Sequence, residues 1–570
     1  MFIPTTKEEI EALGWKQADI IIVSGDTYID TYYDGAALIG KVLLDSGYKV
    51  GIIAQPDIKS DADITRLGEP ALFWGVTAGC VDSMVATYTA LKKKKRKDDL
   101  TPGGINNRRP ERAVIQYVNL IKRFFKNSKP VVIGGVEASL RRIANYDYWD
   151  DKIRGSVLLD SKADILIYGM AEKTVVQLAD ALKKNKDFRQ IKGLCYISAT
   201  ANPDYENLPS LEEVKSDKLK FIRMFQEFYK NNDPVNAKGL NQLHGKRWLV
   251  QNPPAEHLSS EELDKIYSLE FERDAHPYYE KQGKIPALET LRFSVTSHRG
   301  CYGECNFCSI TIHQGRTVLS RSVDSIVREV EKITENPDFK GYISDVGGPT
   351  ANMYGNTCKK QLKSGSCKDK RCISSERCPV MKINHDSQVK MLQRLRKING
   401  VKKIFIGSGL RYDLINDDIL SGSTYLREII KHHVSGQLKI APEHTNEFVL
   451  EKMGKHDRNS LKKFIAESKK INKELGLNQF LTYYFIAAHP GCEHEQMLDL
   501  KKFVKDELKI NPEQIQVFTP TPSTYSTLMY YTGLDPYNHE PVFSEKKLKK
   551  KSEQKEILKS KYFAGKTKKR

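Results

Sequence analysis

Short apolar runs at 19–23, 49–54, 71–75, 130–134, 163–168 and 193–197 alternate with stretches of helical periodicity. Runs that are apolar on both faces predict strands of a parallel sheet covered by helices on each side. Residues 1–198 therefore predict a doubly wound α/β domain, whose ligands would sit at the carboxyl ends of the strands. The pair Gly134 and Gly135 follows one such strand and opens a helix, so backbone there can approach a ligand closely. From 199 to 290 the rhythm is lost among prolines and polar residues, which predicts a helical linker and wrapping region. One helix is expected there over 211–231, with Phe221, Met224, Phe225 and Phe228 on its apolar face.

A second alternation begins at 291. Strands are predicted at 291–296, 341–345, 403–406, 437–441, 480–486 and 515–518, with amphipathic helices between them, such as that of Val323, Ile326, Val327, Val330 and Ile333. Six strands joined by right-handed crossovers would close into a partial (β/α)6 TIM-like barrel over 291–533, with its chemistry on the loops after the strands. A Gly, Ser and Lys-rich insertion at 356–380 interrupts the pattern. The lysine-dense stretch 534–570 is expected to be disordered, with RNA as its candidate partner.

Cysteine placement adds chemistry to this frame. Cys301, Cys305 and Cys308 stand at C-x3-C-x2-C spacing directly after the first strand of the second alternation. Three thiolates can hold three irons of a 4Fe-4S cubane, whereas an electron-transfer cluster normally uses four cysteines. The open corner marks a catalytic rather than a structural metal site. Cys358, Cys367, Cys372 and Cys378 lie in the insertion, which has no core of its own, and suit an auxiliary 4Fe-4S cluster or a structural zinc. Cys80, Cys195 and Cys492 are read as small buried residues.

A chain of 570 residues exceeds a single core, so two or more domains are expected. Seven of its ten cysteines cluster between 301 and 378, at spacings that suit metal better than disulfides. No apolar run approaches a membrane span and the first residues lack a signal-peptide core, so a cytoplasmic protein without membrane contact is expected. The net charge of +19 fits either a polyanionic partner or a solvated lysine surface.

The cysteine loop, with Phe307 before its last cysteine, resembles the signature of the radical S-adenosylmethionine (radical SAM) superfamily. The resemblance implies that the open iron is chelated by S-adenosylmethionine, which one electron cleaves to methionine and a 5'-deoxyadenosyl radical. A flavodoxin- or ferredoxin-type protein would supply the electron. It further implies cofactor contacts at Gly347, Gly348, Pro349 and Thr350, where Pro349 replaces the usual glutamate and only backbone contacts carry over. Ser408 and Arg411 after the third strand, Glu443 and His444 after the fourth, and His489 after the fifth are the other candidates for ribose, carboxylate and adenine. No residue is assigned to the chemistry on the final substrate.

Stretches such as 82–89, 101–104, 134–142, 347–354 and 519–524 extend the likeness to the YgiQ-type radical SAM proteins, from about 19 to 533. The first domain resembles the cobalamin-binding domains that precede many radical SAM barrels. It lacks an Asp-x-His-x-x-Gly run, and cobalamin is not expected. Two other readings stand beside a radical enzyme of open substrate: a radical methyl- or methylthio-transferase acting on RNA, and a non-catalytic iron-sulfur RNA-binding or sensor protein.

Overall fold

The computed structural model describes residues 1–374, 377–456 and 458–559. It divides into two compact units. The first holds Met1–Phe293 with Ser309–Gly315 and Lys360–Lys368, and the second holds Ser294–Cys308, Arg316–Lys359 and the residues from Asp369 onward. No helix among the described residues is long and apolar enough to cross a membrane.

The first unit is a mixed α/β fold around one large sheet. Its strands are β1 Ile20–Ser24, β2 Val50–Ala54, β3 Phe73–Thr77, β4 Val131–Gly134, β5 Ile165–Ile167, β6 Leu194–Ser198, β7 Glu206–Leu208, β8 Leu240–His244 and β9 Arg247–Gln251. Their order is β2-β1-β3-β4-β5-β6-β9-β8-β7. The pairs from β2 to β5 are parallel, as fully apolar strands require.

Two expectations change here. The run at 193–197 forms β6, but it joins antiparallel to β5, so the sheet is not parallel throughout. The stretch 199–290 is not only a helical linker: β7, β8 and β9 extend the same sheet. The hairpin of β8 and β9 is buried on both faces: Leu240 and Leu249 share one face with Gln242 and Gln251, and Val250 lies on the other with Asn241. The helix expected over 211–231 is broken at Asp217, whose carboxylate caps a new helix, Lys218–Lys230, by accepting from the Leu219 and Lys220 amides. Phe221, Met224, Phe225 and Phe228 are buried along it.

Helices α1 (Gly35–Asp45) and α2 (Glu172–Lys183) lie on one face of the sheet, where their aliphatic side chains form a core with Ile20, Ile22, Phe73 and Ile167. Asp34 caps α1, accepting from the Ala36 amide at 2.9 Å. The chain order reverses between β1 and β3, and there the two strand ends touch through backbone. Gly25 donates to the Thr77 carbonyl at 3.0 Å, and a Cβ on Gly25 would lie 2.2 Å from the Ala78 carbonyl oxygen.

In the second unit the short strands are β10 Ser294–Thr296, β11 Tyr342–Ile343, β12 Asp345–Gly347, β13 Lys403–Ile404, β14 Gln437–Glu443, β15 Phe480–Ala487 and β16 Gln514–Val517. β10 pairs with β12, β11 with β13, Leu410 with Ile440, β14 with β15, and β15 with β16, every one parallel. These strands fall in three short pieces, β10-β12, β11-β13 and β14-β15-β16, and beside them His298–Arg299 pairs antiparallel with Leu319–Ser320. Strand β10 is shorter than expected, because Leu288–Leu291 is helical.

The expectation of a disordered tail fails for 534–559. Leu548–Lys559 is a helix, α3, with Lys551, Gln554 and Leu558 buried. Residues 560–570 lie outside the described part, and with them the remainder of the proposed RNA tail.

The backbone contact at the strand reversal predicts an asymmetric response to one methyl group. Gly25→Ala should cost about 1–3 kcal/mol in urea unfolding. Gly35→Ala, where a Cβ meets nothing within 4 Å, should stay within about 0.5 kcal/mol of the parent. Equal midpoints for the two variants would show that the Ala78 carbonyl yields freely.

Candidate functional site

The cysteine loop is tightened by glycines. Gly300 has φ 79°, and a Cβ there would lie 2.0 Å from the Thr317 carbonyl oxygen, so only glycine admits the turn into Cys301. The Gly303 amide donates to the Cys301 sulfur at 3.3 Å, and the Cys308 amide donates to the Cys305 carbonyl at 2.9 Å. Asn306 ties the loop outward: its amide donates to the Met453 carbonyl at 2.8 Å and its Nδ2 to the Lys452 carbonyl at 2.8 Å. Glu304, buried and in a left-handed conformation at φ 45°, pairs with Arg316 at 2.8 Å.

The loops after the following strands supply the neighbours. Thr350 Oγ1 stands 3.6 Å from the Cys301 sulfur, and the Thr350 carbonyl lies 3.0 Å from His298 Nε2. Gly347 and Gly348 permit close packing, since a Cβ on Gly348 would lie 2.6 Å from the His298 ring. The Gly347 carbonyl already accepts from the Ser297 amide at 2.7 Å and from the Ser297 hydroxyl at 3.1 Å. Pro349 continues that loop. Ser408 donates its hydroxyl to Asp345, whose other oxygen accepts from the Gly407 amide at 2.8 Å.

Arg411 is buried, and its fork is not open to a ligand carboxylate as expected. Nε and Nη2 are taken up by Asp413, at 3.0 and 2.7 Å, because the two residues are near neighbours in the chain. Nη1 donates to the Cys305 sulfur at 3.3 Å. Burial opposes the Asp413 charge, but the Arg411 guanidinium outweighs it and holds that carboxyl below its usual range. Asn352 fixes the backbone at this point, accepting from the Arg411 amide at 2.8 Å and donating to the Arg411 carbonyl at 2.9 Å.

Glu443 ends β14 in a left-handed conformation, φ 67°, where the register against β15 shifts. Burial raises its carboxyl to about 7, against the opposing charges of Lys455 and Arg411. His444 and His489 are buried, and burial lowers both imidazoles to about 3. His489 lies 2.6 Å from the Ser526 hydroxyl, and its ring stands edge-on to Phe307 of the cysteine loop at 6.3 Å.

Cys301, Cys358, Cys372 and Cys378 pack around one apolar cluster that includes Tyr302, Met353, Ile373 and Ile383. Burial pushes the Cys372 thiol up to about 12, with Glu304 adding to the shift. Cys367 falls in the first unit. Among the described residues no three Cys, His, Asp or Glu side chains gather closely enough to hold a single ion. Asp345, Asn352, Asp413 and Ser526 were not singled out individually from the sequence. Asn352 lay inside the stretch 347–354, and Ser526 ended the stretch 519–526 expected to line the barrel mouth.

The first unit contains a separate slot of about 270 Å³ between the sheet and helices α1 and α2. Ile22, Ile133 and Val175 line it, with His313 also contributing. Gly75 and Gly134 form part of its floor. A Cβ on either would meet nothing in the protein closer than 3.5 Å, and neither has the positive φ that favours glycine. Neither packing nor backbone demands glycine at these two positions, so its effect there is to keep the slot open.

Residues 2–294 match the family model described as Radical SAM N-terminal. A UPF0313 protein of Fusobacterium nucleatum is 58% identical over 558 residues, covering 98% of each chain. One of Thermotoga maritima is 46% identical, again covering 98% of each. One of Clostridium perfringens is 47% identical, covering 98% of this chain and 84% of its own. The chain belongs to the UPF0313 family, the YgiQ-type group of radical SAM proteins. Among solved structures, the cobalamin-dependent S-adenosylmethionine radical enzyme OxsB with aqua-cobalamin bound is similar at TM-score 0.50 and 12% identity, covering 92% of this chain and 56% of its own. The radical S-adenosylmethionine methyltransferase TsrM from Kitasatospora setae aligns at TM-score 0.49 and 14% identity, covering 88% of this chain and 74% of its own. The expectation against cobalamin does not stand, because the fold is shared with an enzyme described as cobalamin-dependent.

Glu443 generates a pH test. Its folded value of about 7 lies above the ordinary 4.5, so the folded state binds the proton more tightly than the unfolded chain, and stability falls as pH rises through that window. Relative to Glu443→Gln, the parent should lose about 3 kcal/mol of unfolding free energy between pH 4.5 and 7. A difference that stays flat with pH would place this carboxyl in contact with bulk water.

Proposed function

We propose that this protein is a radical SAM enzyme in which Cys301, Cys305 and Cys308 hold a 4Fe-4S cluster, and that its second unit is a partial (β/α)6 barrel binding S-adenosylmethionine at the strand ends. The observation that carries the reading is convergence within one unit: the three-cysteine loop after β10 meets Thr350, Arg411 and His489 from later strand ends. The donor set fits the group. A cubane is fastened at separate corners, so its thiolates need not crowd as ligands of one ion do, and sulfur-directed N–H groups from Gly303 and Arg411 suit a cluster bound through anionic thiolates. When bound, such a cluster supplies the single electron that cleaves S-adenosylmethionine.

The chain's own side chains have roles that follow from their surroundings. Arg411 sets a fixed positive charge beside the thiolates. His489 and Phe307 offer ring surface toward an adenine, and the His489 imidazole stays neutral at working pH. Glu443 can hold or release a proton near pH 7. Cys358, Cys372 and Cys378 offer a second metal site for an auxiliary cluster or zinc. The reaction class is radical chemistry on a substrate that these residues do not name, with methyl transfer as the form it takes if cobalamin binds. The electron would come from a flavodoxin- or ferredoxin-type protein in the cytoplasm.

The slot of the first unit favours cobalamin as a second cofactor. Its 270 Å³ exceeds the roughly 150 Å³ that accommodates a benzene ring, and the floor at Gly75 and Gly134 suits a flat bicyclic base. Cobalamin, when bound, supplies a methyl-carrying cobalt. The slot walls would hold the base and exclude water from it.

Anaerobic reconstitution of the parent should give about eight irons per chain if both cysteine groups carry cubanes. Cys301→Ala should lose about four of them and all 5'-deoxyadenosine formation with dithionite. Retained S-adenosylmethionine cleavage in that variant would sink the assignment, and a full cluster without cleavage in the parent would favour a sensor. In Cys372→Ser, loss of zinc instead of iron would identify the second site as zinc.

For the slot, the parent should bind hydroxocobalamin at least about tenfold more tightly than cobinamide, which lacks the nucleotide base. Gly134→Leu should erase that preference. Equal affinities in the parent would end the cobalamin reading.

A further inference from the structure

The turn Ala488–Cys492 carries His489, and it is held at three points by the last described segment of the chain. Gln554 of α3 accepts from the Ala488 amide at 2.9 Å through Oε1 and donates to the Cys492 carbonyl at 3.1 Å through Nε2. The Gly491 amide donates to the Phe543 carbonyl at 2.7 Å. Ala488 is in a left-handed conformation, φ 58°, which a residue bearing a Cβ avoids unless its surroundings impose it. Inside the clamp the Cys492 amide closes the turn on the His489 carbonyl at 2.9 Å, and the His489 ring is left between Phe307 and Phe518.

Helix α3 is anchored independently of this contact. Lys551 is fully buried, with its ammonium 2.9 Å from the Tyr530 hydroxyl and 4.4 Å from that ring's centre, and Leu558 is buried about two turns further along the same face. Gln554 is therefore presented to the turn by a helix that other contacts keep in place. A side-chain amide bonded to an N–H at one end of a five-residue turn and a carbonyl at the other fixes the distance between those ends. It thereby fixes where the ring between them sits.

We propose that Gln554 is a positioning residue for the nucleoside end of S-adenosylmethionine. It acts through the Ala488–Cys492 turn to hold His489 against Phe307 of the cysteine loop. This inference rests on the reading of His489 as an adenine neighbour. It makes the carboxyl-terminal helix part of the cofactor site instead of an appendage.

The test uses the full chain, reconstituted anaerobically, with iron content and S-adenosylmethionine affinity measured together. Gln554→Ala, which removes both side-chain hydrogen bonds to the turn, should keep the iron content of the parent while its Kd for S-adenosylmethionine and for 5'-deoxyadenosine rises on the order of tenfold. Methionine, which lacks the nucleoside, should bind as before. A general loss of packing would not divide the two halves of the cofactor in this way. Gln554→Glu keeps the acceptor toward Ala488 and should recover part of the affinity. Lys551→Met should lower the melting temperature without changing the ratio of nucleoside to methionine affinity. Unchanged affinities in Gln554→Ala with a full cluster, or equal weakening of methionine and nucleoside in both Gln554 variants, would overturn the proposal. Failure of the cluster-loaded parent to bind S-adenosylmethionine would instead overturn the underlying reading.

Discussion

A guanidinium buried beside cysteine sulfur is the constraint on which the second unit turns. Arg411 cannot lose its proton, so the fold must supply partners for it or bear the cost of an unpaired buried charge. Asp413 supplies two bonds, the Cys305 sulfur a third, and Asn352 locks the backbone on both sides of the side chain. Each partner comes from a different point on the chain. Moving any one strands the others, so the loops after β10, β12 and β13 are held in mutual register by one residue, through its side chain and its backbone together. Ionised cysteine sulfur is a natural counter-charge for this cation, which ties the stability of the fold to the geometry of the cysteine loop.

Strand order explains why those loops can meet at all. Parallel strands that neighbour one another in chain order bring their carboxyl ends to the same edge. The pairings from β10 through β16 are parallel but fall in three short pieces, β10-β12, β11-β13 and β14-β15-β16, with a single bridge from Leu410 to Ile440 between the last two. The first unit applies the same logic differently. Its strand order reverses between β1 and β3, and a slot opens beside that reversal, lined by Gly75 and Gly134 from two adjacent strands.

Apolar runs made the parallel core legible. Ile20–Ser24, Val50–Ala54 and Phe73–Thr77 each fall within two residues of the run that announced them. The hairpin of β8 and β9 was hidden because its buried positions, on both faces, include Asn241 and Gln251, polar side chains held by hydrogen bonds that a hydrophobic pattern cannot register. Cys301, Cys305 and Cys308 were singled out by spacing alone, and the structure adds the sulfur-directed N–H groups of Gly303 and Arg411 that no spacing shows. Arg411 was located but its commitment was not: whether a guanidinium serves a ligand or an internal carboxylate depends on the rotamer of Asp413, two residues on. The slot gave only the Gly134 and Gly135 pair as a trace, since a cavity is made by what is missing from several strands at once.

The lysine-dense tail is where composition misled most, and the reason is physical. Lysine density argues for solvent when the stems have nothing to cover and the ammonium groups have no partner. Here a tyrosine provides both. Lys546 and Lys551 lie over the Tyr530 ring at 3.4 and 4.4 Å, so their methylene stems cover apolar surface while the charge meets a ring face and a hydroxyl. With two cations satisfied in this way, Leu558 and Gln554 are carried inward on the same helix, and the amide of Gln554 reaches the Ala488 N–H and the Cys492 carbonyl. A single aromatic residue, distant in sequence and silent in any count of charge, is enough to convert a basic tail into part of the wall around His489.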